Sequence, residues 1–112
     1  MKFDWTKEFS GAVTVCDPNG IILYMNDKSI ATFLKPGEES LIGRNLFDCH
    51  PLGAQEILRE MMKEQKTNVY TIEKKGKKKI IYQSPWYEKG EYKGFVEISL
   101  EIPFDMENKI RG

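Results

Sequence analysis

The hydrophobic period of the chain changes partway along, and this change constrains the fold more than any other feature. After Thr67 a helical spacing gives way to "NVYTIEK", "KIIYQSPWY" and "YKGFVEISLEI", all rich in β-branched and aromatic residues. In the last of these, Val96, Ile98, Leu100 and Ile102 alternate strictly with Phe95, Glu97, Ser99 and Glu101, which predicts a strand with one buried face. The breaks "KKGKK" and "EKGE" have the composition of hairpin turns. A second strand-forming block lies near the start. "AVTVCD" and "IILYMN" flank "DPNG", a turn sequence, and predict a hairpin with Val13 and Val15 on one face, and Ile22 and Tyr24 together on one face of its second strand.

Helical patterns fill the middle. "NDKSIATFL" offers Asn26 or Asp27 as a cap for a helix carrying Ile30, Phe33 and Leu34, and Pro36 with Gly37 ends it. "EESLIGRNLFDCHP" reads as short, broken helix and loop with Leu41, Ile42, Leu46 and Phe47 turned inward. Residues 51–66 form the longest helix, with Ala54, Leu58 and Met61 in a stripe that Ile57 and Met62 widen. Pro51 suits its first position, where a missing N–H costs nothing. At the start of the chain, Trp5 and Phe9 stand four apart on one face of a short helix that stops at Gly11.

Strands at both ends with helices between them predict an α+β fold. Neither strand group alone would bury its apolar face, so the five strands are expected in one antiparallel sheet with helices over one side. The cleft between the layers is a natural place for a small ligand. At 112 residues the chain makes one domain, divided into a helical cap (1–10), a body (11–103) and a tail (104–112).

Composition removes several function classes. Seventeen basic residues balance seventeen acidic ones, leaving no net field to recruit nucleic acid or an anionic membrane. "KKGKKK" at 74–79 is read as a solvated hairpin tip. No apolar run approaches the roughly 20 residues of a membrane span. "MKFDWTKEF" lacks the apolar stretch of a signal peptide, so the expected compartment is the cytoplasm. Cys16 and Cys49 are single and widely spaced, as expected of buried small hydrophobes rather than a disulfide. With His50 they make at most three ligands, one short of a structural zinc site. Adjacent Cys49 and His50 point apart and make a poor nucleophile pair, and no phosphate loop or metalloprotease spacing is present. The chain is therefore read as a non-enzyme.

"VTVCDPNGIILYMNDKSIATF" resembles the opening of a PAS domain, with Asp17 and Gly20 in the turn and Asn26 starting a helix. "LIGRNLFD" is similar to the segment that precedes the long helix in that family, and "GKKKIIYQSPWYEKGEYKGFVEISLEI" resembles its closing strands. The resemblance covers about residues 10 to 103. It implies a five-stranded antiparallel sheet, short helices and one long helix around a small pocket. Members are sensor or interaction modules, often dimeric, that bind haem, flavin, small metabolites or nothing, and are rarely enzymes. The expectation is a small-molecule-sensing or signal-transduction domain that signals through protein contacts, with a homodimer or a partner signalling protein as the other party. The alternative is a ligand-free dimerisation or interaction module; Trp5 and Phe9 either pack as a satellite core or form a dimer surface against the exposed face of the sheet. A third reading is a haem-based gas or redox sensor using His50. Haem-binding relatives commonly carry their histidine within the long helix, and "LGAQEILREMMKEQK" has none. "LFDCHPLG" does not match the Asn-Cys-Arg-Phe-Leu-Gln pattern of flavin-binding members.

Two stretches supply candidate ligand contacts. With Pro51 opening the long helix, His50 falls at the N-cap, where it caps poorly; the functional reading turns its ring into the pocket, the competing one packs it on the sheet. In "IIYQSPWY", Tyr82 and Ser84 point to one face and Ile81 and Gln83 to the other, and a buried Gln must find a hydrogen-bond partner. One reading has Gln83 or Tyr82 hold a polar ligand atom together with His50 and Asn45; the competing one is cross-strand hydrogen bonding beside an edge aromatic. Pro85 suggests a bulge or an edge near Trp86. The expected pocket therefore joins Asn45, Cys49, His50, Tyr82 and Gln83 to an apolar wall of Leu58 and Met61.

Overall fold

A computed structural model describes residues 4–49 and 52–112, with Cys49 described by its backbone alone. His50 and Pro51 lie outside the described residues, and so do the expectations that rest on them. The elements run β1 (Ala12–Cys16), β2 (Ile22–Met25), α1 (Asp27–Phe33), a 3₁₀ turn (Leu46–Cys49), α2 (Leu52–Glu64), β3 (Asn68–Lys74), β4 (Lys77–Glu88) and β5 (Glu91–Ile102). All five strands join one sheet in the order β2-β1-β5-β4-β3, and every pairing is antiparallel. The expected α+β architecture is present.

Turn chemistry sets the hairpins. Asp17 Oδ1 accepts from the backbone N–H of Asn19 and Ile21, each at 2.9 Å, and Gly20 supplies the positive φ of 85° that the turn requires. A bulge between Val15 and Cys16 then places Ile22 opposite Cys16 and Tyr24 opposite Val15. The two side chains therefore leave on different faces, contrary to the simple alternation expected of β2. Ile22 is buried with Met25 and Leu41, while the Tyr24 hydroxyl bonds the Thr6 hydroxyl at 3.0 Å.

Asn26 ties three segments together. Its Oδ1 accepts from Val13 and Ser29 N–H, and its Nδ2 donates to the carbonyls of Thr6 and Gly11, all at 2.9 Å. The side chain is 1% exposed, so it caps α1 and also fixes the N-terminal segment and β1. That segment makes a turn, closed by Phe9 N–H on the Thr6 carbonyl, where a helical cap was expected. Trp5 and Phe9 still meet, edge to face at 5.4 Å between centroids.

The helices cover one face of the sheet. Leu58, Met61 and Met62 on α2 pack with Cys16, Phe47 and Phe95, at the i, i+3 and i+4 spacing of one helix face. Ile57 turns away and is exposed, as is Ile42; both were expected inward. Phe33 and Ile30 on α1 are also exposed in part. Pro85 lies beyond the last β3–β4 pair, Asn68 with Gln83, and stays in register with Phe95 on β5. The expected irregularity follows at once, as a register shift between Trp86 and Tyr87.

Candidate functional site: a polar row beneath α2

A cavity of about 40 Å³ lies between α2 and the sheet. Leu58, Met61 and Met62 form its roof and Leu46 one side, while the floor comes from Thr14 and Cys16 on β1, Gln83 on β4, and Phe95, Val96 and Glu97 on β5. Sheet register explains the floor. Thr14 pairs with Glu97, Glu97 with Gln83, and Gln83 with Asn68, so four polar residues form one row across β1, β5, β4 and β3 on the helix-covered side. The next row, from Val13 to Ile98, Tyr82 and Val69, is apolar and faces the other way. The sheet is thus polar beneath its helices and apolar on its open side at this level, the reverse of ordinary patterning.

The polar row is internally bonded. Asn68 Nδ2 donates to Gln83 Oε1 at 3.2 Å, and Gln83 Nε2 donates to Glu97 Oε1 at 2.8 Å. The Thr14 hydroxyl bonds that of Ser29 on α1, which is fully buried. Around this row the surface is apolar. Burial raises the pKa of the Cys16 thiol above 9.0, which keeps it neutral near pH 7. Tyr92 packs its ring against Phe95 at 6.3 Å, and its hydroxyl is buried without a hydrogen-bond partner among the described residues. Arg59 lies 4.8 Å from the centre of the Phe47 ring and covers the outer side of the cluster.

Of the residues expected at a pocket, Leu58, Met61 and Gln83 are brought together here. Tyr82 is not; it sits on the open face, paired with Ile98 and 44% exposed. Asn45 stands apart as well, its Oδ1 accepting from Phe47 N–H at 2.9 Å to cap the 3₁₀ turn. The Cys49 side chain and His50 lie outside the described residues. Sequence reasoning missed Thr14 and Glu97, since polar residues alternating with apolar ones read as solvent-facing. Among the described residues no group of His, Cys, Asp or Glu could hold a metal ion. At about 40 Å³ the cavity is also far smaller than the hundreds of Å³ of a cofactor-sized pocket, and His50, on which the haem reading rests, lies outside the described residues.

A family model described as "PAS fold" matches residues 7–102, and the chain belongs to that family. Solved structures agree on the fold. The PAS domain of an HTR-like protein from Haloarcula marismortui is 15% identical, with 88% of this chain and 86% of that one covered at a TM-score of 0.61. A sensory box sensor histidine kinase from Vibrio cholerae is 13% identical over 88% and 86% at 0.65. The PAS domain of BvgS from Bordetella pertussis is 15% identical over 88% and 81%, also at 0.65. A search of curated proteins finds no match. No described helix is long and apolar enough to cross a membrane.

Proposed function

We propose that this domain senses a small molecule held beneath α2 and passes the signal on through protein contacts, as a non-catalytic module working in the cytoplasm. The observation that carries this reading is the polar row Thr14–Glu97–Gln83 on the floor of an otherwise apolar cavity. The row's own hydrogen bonds hold the Gln83 amide and the Glu97 carboxylate in place, and they give an otherwise apolar site the few polar groups against which a ligand is oriented. The named neighbours include a sensor histidine kinase, which supports a sensory role. The roof suits adjustment: Met61 and Met62 are unbranched and repack readily around different shapes. A ligand that binds one arrangement of α2 better than another shifts the population toward it.

Native mass spectrometry of the chain purified from cells, beside a Leu58→Trp chain with the cavity filled, tests this. Wild type should carry a small-molecule mass that the variant lacks. A wild type with no added mass, whose stability is unmoved by a small-molecule cell extract, would contradict it.

The open sheet face favours a second role, self-association. Ile98 is half-buried there, and Tyr82 and Val69 beside it are 44% and 47% exposed. A contiguous apolar strip of this kind is ordinarily covered by a partner, and a second copy of the chain covers both strips at once.

A further inference from the structure

We infer that β3 is a docking edge on which a second copy of this chain adds its own β3, antiparallel and centred on Thr71, so that two sheets run on as one. The inference does not rest on the sensing site, and it uses a surface other than the open sheet face.

The two edges of the sheet are finished differently. β2 has four residues, and the segment after α1 lies along its outer side. Ile22 N–H donates to the Arg44 carbonyl at 3.0 Å, and Gly43 N–H donates to the Ile22 carbonyl at 2.8 Å. β3 has seven residues, all exposed. Among the described residues, their backbone makes no bond outside the β3–β4 ladder. Positions 68–72 read "NVYTI", without the charge or proline that ordinarily blunts a bare edge.

The backbone fixes what this edge can accept. Lys75 and Gly76 both have positive φ, 53° and 75°, which makes the two-residue turn a type I′ hairpin. Such a turn closes on a doubly hydrogen-bonded pair, here Lys74 with Lys77, and doubly bonded pairs then alternate along the ladder. Asn68, Tyr70 and Ile72 therefore direct their backbone groups to β4, whereas Val69, Thr71 and Glu73 turn theirs outward. An antiparallel strand bonds only where outward groups meet outward groups, and a second β3 meets that condition best about Thr71. Thr71 then faces the partner's Thr71, and Val69 faces the partner's Glu73 on either side, each pair exchanging both N–H and C=O. A centre on Tyr70 or Ile72 leaves one outward residue of each strand without a partner in β3.

Side chains and charge agree with this register. Tyr70 meets the partner's Ile72 in the closer, non-bonded positions, where aromatic and β-branched residues pair well. Five lysines crowd the hairpin at 74–79. An antiparallel copy holds the two basic tips roughly 30 Å apart at ~3.4 Å per residue, well beyond the ~8 Å screening length. A parallel copy would set them side by side. One strand pair covers less than the ~1,200 Å² of a stable complex, so the contact fills at the millimolar concentrations of NMR rather than in dilute sedimentation.

Amide hydrogen exchange of the full chain, followed by NMR at micromolar and at millimolar concentration, tests this. The Val69, Thr71 and Glu73 amides should exchange at least ~5-fold more slowly in the concentrated sample. Those of Tyr70 and Ile72, already bonded to β4, should not change. Stacking through the open sheet face bonds no amide and gives no such pattern. Ile98→Lys should keep the slowing, and Thr71→Lys, which sets like charges directly opposite each other, should remove it. Outward amides that exchange equally fast at both concentrations would overturn the inference, as would slowing that Thr71→Lys retains or Ile98→Lys abolishes. Slowing that appears only on adding a cell extract would give the edge to a different protein and overturn it equally. The wild-type comparison needs no variant, so it decides the matter even where a variant fails to fold.

Discussion

Asn26 shows how one side chain acts beyond its local role. Its place before "DKSIATF" marks it as a helix cap in the sequence alone. Its bonds to Val13, Thr6 and Gly11 do not show there, because those partners come from segments that fold against it. Replacing it with alanine removes four hydrogen bonds and leaves buried groups unpaired. Asn26→Ala should therefore lose about 2–4 kcal/mol in urea denaturation, beyond the ~1 kcal/mol of an ordinary cap. A loss below that ordinary figure would show that Asn26 caps α1 and does nothing more. Cys16 makes a different residue-scale prediction. Burial raises its folded pKa above the usual 9.0, so the unfolded chain gives up this proton first. Stability is intact below that value and falls as pH rises through the folded pKa. Tyr92 and Tyr70, also raised by burial, add the same sign from 10.0 upward. Urea midpoints measured against pH should decline from about pH 9, and a Cys16→Ala chain should start its decline about a unit later. Identical onsets in both chains would contradict this.

At the scale of elements, periodicity located the strands and helices, and turn residues located their ends. Orientation was harder to read. The stripe on α2 was legible, yet Ile57 and Met62 could not be told apart as its flanks, since both lie at the margin of the same helical face. The structure buries Met62 and leaves Ile57 67% exposed. Leu58→Ala should cost about 2–4 kcal/mol and Ile57→Ala about 0.5 kcal/mol or less, measured by chemical denaturation. Similar costs for both would mean that α2 is rotated from the orientation described. For β5 the alternation itself was plain, but its sense was not. Val96, Ile98, Leu100 and Ile102 read as the core side, whereas the helices cover Phe95, Glu97 and Ser99. Which face a layer covers depends on long-range packing, and in β2 a one-residue bulge redirects a side chain that no local pattern marks.

For the whole molecule, the fold was legible because two strand blocks that cannot bury themselves separately have to share one sheet. The candidate site was only half legible. Leu58, Met61 and Gln83 were within reach because an amide in an apolar strand and a helical stripe both stand out. Thr14 and Glu97 become partners of Gln83 only once β1, β5 and β4 are in register. The same register gives the open face its apolar row and with it a test of self-association. Sedimentation across a dilution series should show a dimer in wild type and a folded monomer for Ile98→Lys. A wild type that is monomeric throughout would remove the second role.

Sensing beneath α2 requires that a small molecule bind on the helix-covered side of the sheet. Methyl chemical-shift mapping of the full chain with a low-molecular-weight cell extract locates it directly. The expected result is movement confined to Leu58, Met61 and Met62, over the Thr14–Glu97–Gln83 row. Shifts confined to Ile98, Leu100 and Val69 on the open face, with the α2 methyls unmoved, would contradict it.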